Sequence, residues 1–151
     1  MAKNTKVFVK KVTFDTATTD SSGVANTTAA AHGSGVIIPS GAIITNAFYN
    51  VRTTFTSATD AATIAIKVEG TGDLKAAIAI SASGDVYDAG VRGCLPGSYA
   101  ERTVAGDTAI LDAASKAASY IKTTADREVT FTVASEALTA GALDLWITYV
   151  I

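Results

Sequence analysis

Residues that carry chemistry are scarce in this chain. Its 151 residues include one cysteine, one histidine, one tryptophan, one methionine and two prolines. The lone Cys94 excludes an internal disulfide and suits a reducing site of synthesis. A zinc site needs three or four Cys, His or carboxylate ligands, and His32 with Cys94 falls short of that set. Charged residues are also few, at 17% against roughly 25% in an average soluble domain. The net charge of −2 and the pI near 5.2 leave no basic footprint for nucleic acid. Apolar runs stay shorter than the roughly 18 residues that a membrane-spanning helix needs. The lysine-bearing start lacks the apolar block of a secretory signal. Without secretion, the acceptor-like Asn26-Thr27-Thr28 has no glycosylation to report.

What remains is apolar and small. Apolar residues make up 48% of the chain, and Ala, Thr, Gly and Val take the place of charge. A surface built from them solvates poorly and suits cover by a partner or by copies of itself. The length fits one domain able to bury about two-thirds of its unfolded surface.

The dominant pattern is period two. In 6–14, KVFVKKVTF, Val7, Val9 and Lys11 share one face, and Phe8, Lys10, Val12 and Phe14 share the other, which predicts a strand. The neighbouring lysines, Lys3, Lys6, Lys10 and Lys11, read either as a solvated strand face or as a contact arm for an acidic neighbour. Residues 15–35 are small and polar, fit for an extended arm, a long loop or weak edge strands that order against something else. Val36 to Ile38 read as a short strand before a Pro39-Ser40-Gly41 turn. From Ile43 to Phe55 the odd positions face inward, while Asn46, Asn50, Arg52 and Thr54 face out, interrupted by Ile44 and Phe48. Ala62, Ile64, Ile66 and Val68 make the next inward row. Val129, Phe131 and Val133, then Leu143, Leu145, Ile147 and Tyr149, form two more, joined by a link in which Gly141 supplies a positive φ.

Between these rows the pattern loosens. Residues 73–82 fit a strand or a short helix, and the stretch after Asp107 fits either a strand or a short helix that Asp107 is placed to cap. Short strands between Gly- and Ser-rich turns predict an all-β chain folded as a β-sandwich, in which an apolar strand late in the sequence lies mid-sheet. Residues 1–34 form an N-terminal strand and extended arm, and residues 35–151 the β-sandwich domain.

No catalytic constellation emerges. His32 sits among small residues without a nucleophile or an orienting acid in its motif. Cys94 lies in GVRGCLPGSY, where Arg92 would lower a thiol pKa, but without a nucleophile-elbow context it reads as a buried structural thiol. Asp73, Asp85 and Asp88 lie in glycine-bounded loops without EF-hand spacing and read as solvated turn acids rather than calcium ligands. Tyr87, Tyr99 and Tyr120 read as core or interface residues, with sugar binding as the alternative. Trp146 falls out of phase with Leu145 and Ile147, so it faces the other layer or a neighbouring subunit. The expectation is a protein that is not an enzyme, with no cofactor, no metal and no membrane or nucleic-acid partner.

The segment IKTTADREVTFTVASEALTAGALDLWITYVI (121–151) resembles the C-terminal end of small virion proteins of tailed bacteriophages. The shared ending runs from Thr132-Val133-Ala134 through Leu138-Thr139-Ala140-Gly141 to Tyr149-Val150. GVIIPSGAIITNAFYNVRTTF and DAATIAIKVEGTGDL look similar too, so the likeness spans about residues 35–151. It implies a structural part of the particle. The first reading is a head decoration (cement) protein that binds the major capsid protein on the phage head surface and is made in the host cytoplasm. The alternative is a head- or tail-fibre or receptor-binding module. It also implies a sandwich of jelly-roll type and a homotrimer. No catalytic residue transfers with it. Val7, Phe8, Val9, Lys10, Lys11, Phe14 and Trp146 are the expected contacts to capsid or subunit, with the N-terminal strand reaching a neighbour by strand addition.

Overall fold

The computed structural model describes residues 5–84, 86–94 and 120–151. Among the described residues the chain is all β, with no helix. The strands are β1 (Val7–Asp15), β2 (Ala31–Ile38), β3 (Ile43–Ser57), β4 (Thr63–Lys67), β5 (Lys75–Ala79), β6 (Gly90–Cys94), β7 (Ile121–Lys122), β8 (Arg127–Ala134) and β9 (Leu138–Val150). One sheet runs β1-β9-β3-β6, with the short β7 against the start of β3, and the other runs β2-β8-β4-β5. Every pairing is antiparallel. The chain crosses repeatedly from one layer to the other, and this winding is a jelly roll.

Both layers turn one face inward. Val12 and Phe14 from β1, Tyr49 and Phe55 from β3, and Leu143, Leu145, Ile147 and Tyr149 from β9 meet Ile64, Ile66, Val129, Phe131 and Val133 of the opposite sheet. Phe14 stacks on Phe131 at 4.7 Å and on Phe55 at 6.0 Å, joining the layers through aromatic contact. Tyr87 stands edge-on to Phe55 and donates its hydroxyl to the Ile64 carbonyl at 2.9 Å. It is therefore a core residue and not a sugar platform.

The alternation expected in β3 holds from Ala47 to Val51 and fails on either side: Ile44 is buried and Ile43 half-buried at its start, and Thr53 is exposed before Phe55 returns inward. The register against β9 shifts between Ile44 and Asn46, and the extra residue of that bulge reverses the phase. The 73–82 stretch resolves to a strand, β5, paired with β4. The Asp107 helix lies outside the described residues, as do Lys3, Asp85 and Tyr99.

The expected division at residue 34 does not appear. β1 is paired with β9 from Val7 to Asp15, and β2 begins at Ala31 and runs through the proposed boundary. Residues 16–30 form turns held by their own chain and not an extended arm. Asp20 accepts the N–H groups of Ser22 and Val24 and the Ser22 hydroxyl, and its other oxygen meets His32. The N–H of Leu138 reaches Thr27, and that of Val133 reaches Ala30. Such bonds replace the apolar periodicity that the stretch lacks.

Gly141 does a different job from the one its position suggested. The β8–β9 turn uses Ser135, at φ 69°, whereas Gly141 lies within β9 at φ 140° beneath the Phe55 ring. A Cβ at Gly141 would come within 2.1 Å of that ring. Gly141→Ala is therefore expected to cost about 3 kcal/mol, from overpacking and backbone strain combined. Urea titration reads this cost, and Phe55→Leu in the same chain should recover part of it. A change within error of zero would refute the steric account.

Ion pairs close the loop ends. Arg127 donates twice to Glu69 at 2.8 Å, and with the Thr124 hydroxyl it brings the Glu69 carboxyl down from 4.5 to about 2. A depressed carboxylate stabilises the fold fully above its ordinary value, and the contribution drains away as pH falls toward the lowered one. The melting-temperature gap between the native chain and Glu69→Gln should therefore be widest near neutrality. It should close on acidification from about 4.5 to about 2. A gap that stays constant over that range would refute the pairing.

Candidate assembly surface

The residues with chemical potential are committed to structure. His32 is buried, with Nδ1 3.1 Å from an Asp20 carboxylate oxygen and Nε2 2.8 Å from the Thr28 carbonyl. Hydrogen bonds from Ser22, Val24 and His32 hold the Asp20 carboxyl well below the usual carboxylate range against the opposing effect of burial. Cys94 is buried in the core, where its thiol donates to the Leu74 carbonyl at 2.9 Å. Burial pushes that thiol up to about 12, which outweighs nearby positive charge and leaves no reactive thiolate. Asp73 accepts the N–H groups of Val68, Glu69 and Gly70 at 2.8–2.9 Å, so both its oxygens serve a turn. Among the described residues, no group of three or more His, Cys, Asp or Glu is arranged to hold a metal.

The feature that structure alone does not explain is the outward face of the β1-β9-β3-β6 sheet. Alternation on β9 sends Asp144, Trp146 and Thr148 to this side, opposite the core row. The registers then define its cross-strand rows: Val9–Thr148–Asn46, Lys11–Trp146–Phe48–Gly93 and Thr13–Asp144–Asn50–Val91. Trp146 stacks against Phe48 at 5.1 Å, with the Lys11 ammonium 5.5 Å from its ring. Around this pair, Val7 is 65% exposed, Val9 60% and Val91 65%.

Beside the apolar part lies a compact charge network. Asp144 accepts the Thr13 hydroxyl at 2.8 Å and meets Lys11 at 3.1 Å and Arg52 at 3.2 Å. Arg52 also reaches Asp15 at 3.5 Å. Burial would raise the Asp144 carboxyl, but the Thr13 bond and the two cations outweigh it and hold the group ionised below its ordinary range. The network is neutral as a set and fixes the outer side chains in place.

Of the contacts expected from sequence, Val7, Val9, Lys11 and Trp146 come together on this face. Phe14 does not: it is in the core at 2% exposure, so no partner reaches it. Phe8 and Lys10 share the inward phase of Phe14 but lie where the cover thins, with Phe8 stacked on Tyr149 at 5.4 Å. Phe48, Val91, Arg52 and Asp144 were not foreseen as members of the face. Phe48 carried a signal as the aromatic that broke the polar row of β3. Val91 carried none, because its strand has no readable period.

No protein-family model and no curated protein matches this chain. Two chains from solved phage particles share its fold. One belongs to the acidic stable capsid structure of Helicobacter pylori bacteriophage KHP30, with 13% identity and a TM-score of 0.57 over 96% of this chain and 87% of that one. The other belongs to the cyanophage Pam1 capsid asymmetric unit, with 18% identity and a TM-score of 0.54 over 98% of this chain and 85% of that one. At these identities the likeness is one of fold, and the jelly roll described above is a fold found in phage capsid structures.

Proposed function

We propose that this protein is a structural virion component, a decoration (cement) protein that binds the shell of a phage head and clamps neighbouring capsid subunits. The observation that carries the reading is the exposed apolar patch of Val7, Val9, Phe48 and Val91 around Trp146, on a jelly roll shared with chains of phage capsid structures. Support also comes from size. The alignments cover most of both chains, so the matched chains are close to this one in length. The commitment of His32, Cys94 and Asp73 to internal bonds favours a structural role over a catalytic one.

In this reading the outer face seats against the major capsid protein, and the neutral charge network holds Lys11, Thr13, Arg52 and Asp144 together beside its apolar part. Each copy would cover a standard interface of about 1,200–2,000 Å² in total, and many copies together would resist the pressure of packaged DNA. The fibre or receptor-binding alternative drew on exposed aromatics, and Tyr87 is withdrawn from that role by its burial.

Two measurements test the proposal. Heads stripped of the protein should release their genome at a lower temperature than intact heads and should recover when it is added back. Identical release curves would overturn the cementing role. The free protein is also proposed to be a homotrimer of its 15.3 kDa chain. Light scattering at micromolar concentration should return about three chains per particle, and a monomer would refute that part.

A further inference from the structure

Among the described residues the two sheets present four edges, and they are not equivalent. Within the described residues β5 and β6 are five residues each and β7 two, short templates for a pairing. β2 is interrupted by a register shift between Gly33 and Ile37, and Glu128 binds the backbone N–H of Gly35 there. β1 differs from them all. Its nine residues contain no proline or glycine, and its ladder to β9 runs from Val7↔Val150 to Asp15↔Ala142 without a shift. Among the described residues no strand pairs its far side. A long, regular edge rich in β-branched residues is a template for another strand.

Charge decides which strand. Lys11 is matched by Asp144, but among the described residues neither Lys6 nor Lys10 has an acidic partner. Antiparallel pairing of β1 with a second copy of itself about its middle residue would set Lys11 opposite Lys11 and Lys10 opposite Val12, gathering four lysines at the centre of the pair. Like charges directly opposite one another destabilise a strand pair. That pairing crowds lysines together, whereas a strand of opposite sign would meet the unmatched ammonium groups of Lys6 and Lys10. Val7 and Val9, both largely exposed, add an apolar face on which alternate side chains of an incoming strand can rest.

We infer that the free edge of β1 accepts an extended acidic segment of another protein as an added strand. This rests on the shell-binding reading for where the partner resides, and it gives that partner a chemistry: alternating β-branched and acidic residues over about the length of β1.

The test uses two synthetic peptides as long as β1, one alternating Val and Thr with Glu, its twin carrying Lys in place of Glu. Added to the isotopically labelled protein, the Glu peptide should shift and protect the backbone amides of residues 7–15, and the Lys peptide should bind about tenfold more weakly. The double variant Lys6→Glu, Lys10→Glu changes exposed side chains, and its unchanged melting temperature would show the fold intact. It should reverse the preference between the peptides. Equal binding of both peptides, or shifts on β2, β5 or β6 instead, would overturn the inference. Rebinding to stripped heads separates it from the parent reading. If the native protein takes the Glu peptide on β1 but does not rebind heads, the capsid role falls and the edge site stands. If heads rebind the double variant as tightly as the native protein, the edge site falls and the capsid role stands.

Discussion

The pairing of β9 with β1 on one side and β3 on the other holds the two ends of the described chain in one sheet. On its inner side, Leu143, Leu145, Ile147 and Tyr149 supply an unbroken apolar row to the core. On its outer side, Asp144, Trp146 and Thr148 build the centre of the exposed face. The same thirteen residues thus set the packing of the sandwich and the composition of the surface it offers. The opposite layer depends on them through Phe14, which β1 can present to Phe131 because β9 keeps β1 in register. Gly141 belongs to this arrangement as well, since the absence of a side chain there lets Phe55 lie over the strand.

Much of this architecture was legible, because half-buried strands write their burial as alternation. The inward rows of β4, β8 and β9 stand as read, and the late apolar segment is mid-sheet for the reason expected of it. The alternation in β3 misleads where its register slips, near Thr45, where an added residue exchanges the faces, and again at Thr53, which turns outward. A bulge leaves no mark in hydropathy. Residues 16–30 were illegible for another reason: their order comes from the carboxylate of Asp20, the ring of His32 and backbone bonds to Thr27 and Ala30, and none of these has a period. The jelly-roll winding entered through resemblance, since alternation says which residues face inward but not which strands are neighbours.

The surface was half legible. The phase of β1 sorted Val7, Val9 and Lys11 correctly from Phe14, yet burial on one phase changes along the strand as the second layer's cover thins, leaving Lys10 exposed and Phe14 enclosed. That depends on where β2 lies, which no local pattern reports. Several of the acids that the chain does carry are committed to internal bonds. Asp20, Asp73 and Glu136 spend their carboxylates on turn N–H groups, and Asp144 and Glu69 meet arginines.

The ladder between β1 and β9 also governs when the fold can close. Thr13 and Asp144, which share a hydrogen bond, are 131 residues apart in sequence. During synthesis β1 leaves the ribosome long before its partner strand exists, and contacts of such separation make folding slow. Throughout that interval a β-branched segment waits with both edges bare, the condition under which chains on neighbouring ribosomes aggregate. Charges flanking an apolar strand oppose such pairing, and Lys6, Lys10 and Lys11 stand in those positions around Val7, Val9 and Val12.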